Sequence, residues 1–232
     1  MNKEYKLDVP KTSKDLIEQP EICMQGVLPK LHFSMLAVGS SGSGKSVLVY
    51  NLISNFYAGY FDTVISISPT GGSDDIQKAL GLPKNRVITE MSKAESVLLM
   101  IQEVQKEEIK KKGFEGAKKI LIYLDDVIGD ERFMNSKAMI ESFIKNRHYN
   151  FSVILCSQYY KAIPRRIRMQ SACNFFFNCN ETELTTLAED FEPPGVQRKR
   201  FIEVLQQILE SIGEVHGTNA SERLGTSDYF LS

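Results

Sequence analysis

The clearest chemistry in this sequence lies in one run, Gly39-Ser40-Ser41-Gly42-Ser43-Gly44-Lys45-Ser46, placed directly after an apolar stretch and opening a helical one. Such a run holds anions. Glycines allow positive φ angles that turn successive backbone N–H groups inward, and the start of a helix adds a partial positive charge. The GxxxxGKS spacing predicts a loop around the phosphates of ATP, with Lys45 reaching the β and γ phosphates and the Ser46 hydroxyl ligating Mg2+. A flexible Gly/Ser loop is the plain alternative, and the strand and helix on either side argue against it.

A second set of polar groups completes the chemistry. The apolar run Ile120-Leu121-Ile122-Tyr123-Leu124 ends in Asp125-Asp126. A carboxylate at the C-terminal edge of a strand beside the phosphate-loop strand can hold Mg2+ through water, so Asp125 is expected there. Asp126 is then placed to orient or deprotonate the attacking water, or else to cap the following turn. The next strand, Ser152 to Ser157, ends in Gln158. An amide at that edge can touch both the γ phosphate and the water, and so sense the phosphate; an ordinary surface glutamine is the alternative.

These groups need a scaffold, and the pattern supplies one. Apolar runs bounded by turn residues occur at Phe33–Val38, Thr63–Ile67, Arg86–Thr89, Ile120–Leu124, Ser152–Cys156 and Cys173–Phe177. Helical stretches are expected at Lys45–Tyr57, at Ser92–Lys111 with a capping box of Ser92 and Glu95, and at Ser136–Lys145. A further capped start is read at Asn180 with Glu183, and a longer helix over Val196–Ile212. Strands apolar on both faces that alternate with helices predict an α/β fold, a mainly parallel central sheet covered on each side. Residues 1–30 read as an arm, 31–212 as one ATPase domain and 213–232 as a tail. Pro69 to Pro83 carries no readable pattern.

Composition narrows the partners. The 28 Lys and Arg against 29 Asp and Glu leave no generally cationic surface, so nucleic acid would have to be held by local patches. The run Lys110–Lys112 ends a helix, where cations suit the dipole. Cys23, Cys156, Cys173 and Cys179 lack paired CxxC spacing, so neither a zinc site nor a disulfide framework is expected. No apolar stretch is long enough to span a bilayer and no signal core is evident, which predicts a soluble intracellular protein.

Taken together, GSSGSGKS, ILIYLDD, NRHYNFSVILCSQ and IPRRIRMQSACNFFF resemble the poxvirus-type genome-packaging ATPases of large DNA viruses and virophages, within the FtsK/HerA superfamily. The resemblance covers about residues 30 to 180. It implies a RecA-like P-loop core that assembles into a homo-oligomeric ring, a pentamer or hexamer, and threads double-stranded DNA into a preformed capsid, with a capsid or portal-vertex protein as partner. The host cytoplasm or viral factory, or the virion itself, is the implied location. Residue by residue, Gly39 to Ser46 match the Walker A motif, Asp125 and Asp126 the Walker B, Gln158 the sensor, and Arg147 the arginine before the sensor strand.

Arg147 precedes its strand and so lies at the opposite sheet edge, about 15 to 20 Å from its own phosphate loop. If catalytic, it must act on a neighbouring subunit as an arginine finger; otherwise it caps helix-end carbonyls. Arg165, Arg166 and Arg168, after the sensor strand, are competing fingers and equally candidates for DNA-phosphate contacts. Two other functions share the cradle: a P-loop kinase or phosphotransferase, and a DNA-pumping ATPase unconnected with packaging. A kinase needs an arginine-rich lid, and none is evident between Asp126 and Gln158. A non-hydrolysing nucleotide switch is a third class, which Asp125, Asp126 and Gln158 argue against.

Overall fold

The computed structural model describes residues 28–70, 75–177 and 179–217. The expected arm up to residue 27 and the tail from 218 onward lie outside them. Six strands form one sheet: β1 (Ser34–Val38), β2 (Thr63–Ile67), β3 (Val87–Ile88), β4 (Ile120–Asp125), β5 (Phe151–Ser157) and β6 (Cys173–Phe176). Their order is β3-β2-β4-β5-β1-β6 and every pairing is parallel. The helices are α1 (Lys45–Asn51), α2 (Asp75–Ala79), α3 (Met91–Gly116), α4 (Glu131–Met134), α5 (Lys137–Ile144), α6 (Arg165–Arg168), α7 (Glu181–Phe191) and α8 (Arg198–Gly217).

Alternation along each strand sorts side chains into two cores. On one face Phe33, Met35 and Ala37 of the β1 segment join Leu121, Tyr123, Ile154 and Cys156 under Val49, Leu52, Ile53 and Tyr57. On the other, Leu36, Val38, Ile122, Leu124, Val153 and Leu155 pack beneath α3, α5 and α7. Both faces are covered, as apolar strands without polar alternation require.

One expectation is corrected. The Asp125 strand does not lie beside the phosphate-loop strand, because β5 is inserted between β4 and β1. Its burial explains the position: all seven residues of β5 are buried, so the strand needs neighbours on both edges and cover on both faces. Two helix starts also differ. α3 begins at Met91 with Glu90 as its N-cap, so the predicted Ser92–Glu95 box does not form. The helix after the phosphate loop widens to a π-helix over Leu52–Phe56, and the Tyr57 that follows is buried, its hydroxyl donating to the Pro29 carbonyl at 2.7 Å. Asn180 and Glu183 do make the expected reciprocal capping box at α7.

Candidate functional site

The phosphate loop runs from the end of β1 into α1. Gly39 is buried, and a Cβ there would meet Phe177 Cβ at 2.6 Å and the Phe177 carbonyl oxygen at 2.7 Å. Only glycine lets the loop leave the sheet against that backbone. Gly42 and Gly44 have φ of 75° and 98°, the left-handed region that curls a chain into a nest of N–H groups. The Lys45 ammonium lies along the loop, donating to the Gly39 and Ser40 carbonyls at 2.6 and 2.8 Å. Ser46 is exposed at the first turn of α1. The buried Ser43 hydroxyl has no hydrogen-bond partner among the described residues. A curled loop with an orphaned hydroxyl and a lysine across it fits a polyphosphate, and the exposed Ser46 hydroxyl at the start of the helix fits its metal ion.

Strand register brings the remaining groups to the same edge. Val38 is level with Ser157, and Cys156 is level with Asp125, so Gly39, Gln158 and Asp126 each follow their strand at one carboxyl edge. At parallel-strand spacing, β1 and β4 stand about 10 Å apart, a gap one nucleotide phosphate chain can bridge. Asp125 shares a strand face with Tyr123, whose hydroxyl donates to its Oδ2 at 2.9 Å. That is the α1 face, the side on which Ser46 begins its helix.

Asp126 is left-handed, with φ 53° and ψ 31°. For a residue other than glycine this costs about 1–3 kcal/mol and occurs where the surroundings impose it. Its side chain makes no bond to the turn it precedes, so the capping alternative fails. Instead Oδ1 accepts from Gln158 Nε2 at 3.3 Å. The inserted β5 therefore sets Gln158 between the phosphate loop and the acidic pair, in contact with Asp126.

The arginines separate sharply. Arg168 is buried, its guanidinium stacked 4.9 Å over the Tyr160 ring and donating to Asp190 at 2.6 Å and to the Ile163 carbonyl at 2.8 Å. Enclosed in this way it cannot reach a neighbouring nucleotide. Arg165 also donates to Asp190, at 3.0 Å, but is 68% exposed. Arg166 is exposed and donates to the Asn135 side chain at 3.2 Å. Arg147 lies in a 3-10 turn (Asn146–Tyr149) at the amino edge of β5. It is exposed, and its guanidinium caps no carbonyl and forms no ion pair among the described residues.

The sequence reading missed the Asp190 cluster, the Tyr123–Asp125 bond and Phe177 behind Gly39. The Tyr123 bond had a signal, since residues two apart on a strand share a face. The other two are contacts between distant segments and had none.

No helix among the described residues is long and apolar enough to cross a membrane. No curated protein matches the chain. Among solved structures, the DNA-packaging ATPase B204 of Sulfolobus Turreted Icosahedral Virus matches with a TM-score of 0.54 at 15% identity, over 69% of this chain and 83% of that one. The genome packaging NTPase B204 of Sulfolobus turreted icosahedral virus 2, in complex with ATP-gammaS, matches with a TM-score of 0.53 at 16% identity, over 69% and 82%. The cytoplasmic domain of EssC matches with a TM-score of 0.52 at 13% identity, over 84% of this chain and 52% of that one. At these identities the likeness is one of fold. The family model for the Poxvirus A32 protein matches residues 24–214, most of the chain and the whole of the site described above, so this chain belongs to the Poxvirus A32 protein family.

Proposed function

We infer that the chain is an ATP-hydrolysing motor that moves double-stranded DNA into a viral capsid. The observation that carries the reading is the carboxyl edge itself: phosphate loop, Gln158 and the Asp125–Asp126 pair lie side by side, with Gln158 bonded to Asp126. Family membership, and a fold shared with proteins described as packaging ATPases, supply the direction of the work.

The roles follow from placement. The nest around Gly42 and Gly44 binds the β phosphate, and Lys45 exchanges its loop carbonyls for the β and γ phosphate oxygens. Ser46 and Asp125 would hold Mg2+, which would supply positive charge against the developing negative charge on the phosphates. Tyr123 fixes the Asp125 carboxylate by its hydroxyl. Asp126 accepts the proton of the attacking water, and Gln158, held against it, orients that water toward the γ phosphorus. Because Gln158 opens the segment that follows β5, loss of the γ phosphate is felt by the chain downstream of it.

A finger at Arg147 is supplied in trans, since its own phosphate loop lies a full strand length away. Such a contact joins two different surfaces, so the assembly is head-to-tail, the kind of interface from which a closed ring is built. A capsid or portal-vertex protein is the second partner, and a viral factory in the host cytoplasm the setting. The direct test is ATPase rate with and without duplex DNA, alongside solution mass. A rate that rises several-fold on duplex and an oligomer above a dimer are expected; hydrolysis indifferent to DNA in a monomer overturns the motor reading.

A further inference from the structure

The segment after Gln158 carries a charge pattern found nowhere else among the described residues. Residues 159–168 contain Lys161, Arg165, Arg166 and Arg168 and no acidic residue. Six cations on other helices, Lys93, Lys106, Lys111, Lys112, Lys145 and Arg200, each pair with a glutamate three or four residues away. In 159–168 the ion pairs reach a single carboxylate, Asp190, whose side chain is 1% exposed and is shared by Arg165 and Arg168. Lys161 and Arg166 are exposed and have no ion pair among the described residues, and Tyr159 beside them is 56% exposed.

The segment is also rigid at its root. Tyr160 is fully buried, its N–H donating to Glu183 at 3.3 Å and its hydroxyl to Asp190 at 3.2 Å. The Tyr159 N–H donates to Ser157 Oγ, which in turn donates to the Tyr159 carbonyl, so the chain turns sharply straight after the sensor position. Buried anchors hold the backbone while Lys161, Arg165 and Arg166 project outward. Order of this kind is costly for a surface with nothing to bind.

We propose that residues 159–168 form the duplex-contacting element of this chain, with Lys161, Arg165 and Arg166 on DNA phosphates. The proposal rests on the motor reading and assigns its DNA site. Duplex DNA carries one negative charge per about 1.7 Å of axis, so a rigid cluster of exposed cations gains by releasing the counterions condensed on the duplex. Guanidinium forks suit phosphate oxygens, and contacts of this type carry no base preference, as a packaging motor requires. Beginning one residue after Gln158, the element joins DNA contact to phosphate sensing without an intervening hinge.

The test is the affinity of the full-length protein for a fluorescein-labelled duplex across a salt series, read by anisotropy. Lys161→Ala/Arg166→Ala should weaken binding equally on unrelated sequences and lower the slope of log K against log salt by about 2. Lys106→Ala/Lys112→Ala, which removes matched cations, should leave slope and affinity unchanged. Unaltered slope and affinity in a Lys161→Ala/Arg166→Ala protein with wild-type melting temperature overturns the assignment, and is also the result expected were Arg166 a finger instead. A wild-type protein that binds no duplex sinks the motor reading and this site together, whereas wild-type binding with an indifferent double variant sinks this site alone.

Discussion

Asp126 offers the cleanest probe of the chemistry because its backbone and its charge can be separated. Asparagine tolerates the left-handed conformation as well as aspartate does, so Asp126→Asn keeps the turn and removes the carboxylate. ATP affinity should stay within about threefold while kcat falls by about 10²-fold or more, the usual contribution of a positioned base. Equilibrium nucleotide binding beside single-turnover hydrolysis checks this; lost binding would mean a structural role. Gly39 tests the cradle in the opposite way. Gly39→Ala drives a methyl group into Phe177 and should lower stability by about 1–3 kcal/mol together with nucleotide affinity. Gly129→Ala, where the added carbon meets nothing within 4 Å, is the control in a melting series with and without nucleotide. The glycines, Lys45 and the acidic pair could all be picked from the sequence because they are local: eight consecutive residues, then two at a strand end. The bond from Gln158 to Asp126 could not, since 32 residues separate them and only strand order brings them together.

Elements hold these groups still, and the α6–α7 junction shows how. Burial pulls the Asp190 carboxyl upward, but hydrogen bonds from Arg168 and Arg165 outweigh it and hold the group below the usual aspartate range. A lowered carboxylate contributes stability that is full above about pH 4 and is lost as pH falls through its lower folded value. Asp190→Asn strands the Arg168 guanidinium without its counter-charge, which costs about 3–5 kcal/mol for a buried pair. Urea midpoints should therefore drop at neutral pH and decline less steeply on the acid side than in the wild type. An unchanged midpoint would mean that the pair is solvated after all. The strands themselves were legible because apolar runs bounded by Gly, Pro, Asn and Asp need no tertiary information; β2 lies where the pattern puts it. The start of α3 was not: Ser92 and Glu95 have the spacing of a cap, but the chain already turns at Glu90, whose carbonyl takes the Lys93 N–H at 2.9 Å. The short α2 falls in the stretch without pattern, being only five residues long.

At the scale of the whole molecule the question is where the transition-state charge finds its last cation. A parallel sheet has two unlike edges. Here the carboxyl edge holds the phosphate loop, and the amino edge of β5 holds Arg147, seven strand residues or about 20 Å away. No rotation of a side chain crosses that distance, so Arg147 serves a neighbour's nucleotide or none. The assembly that this requires makes a sharp prediction. Arg147→Ala subunits keep a sound phosphate loop but offer no finger; Lys45→Ala subunits offer a finger but cannot hold the γ phosphate. Each alone should be nearly inactive. In an equal mixture, about one head-to-tail interface in four joins an intact loop to an intact finger, and activity should return in that proportion. Steady-state ATPase across a titration of one variant into the other measures it, with native mass confirming mixed rings. Recovery that follows the product of the two fractions places the finger across the interface, while mixed rings that stay inactive remove Arg147 from the chemistry and leave the amino edge a purely structural surface.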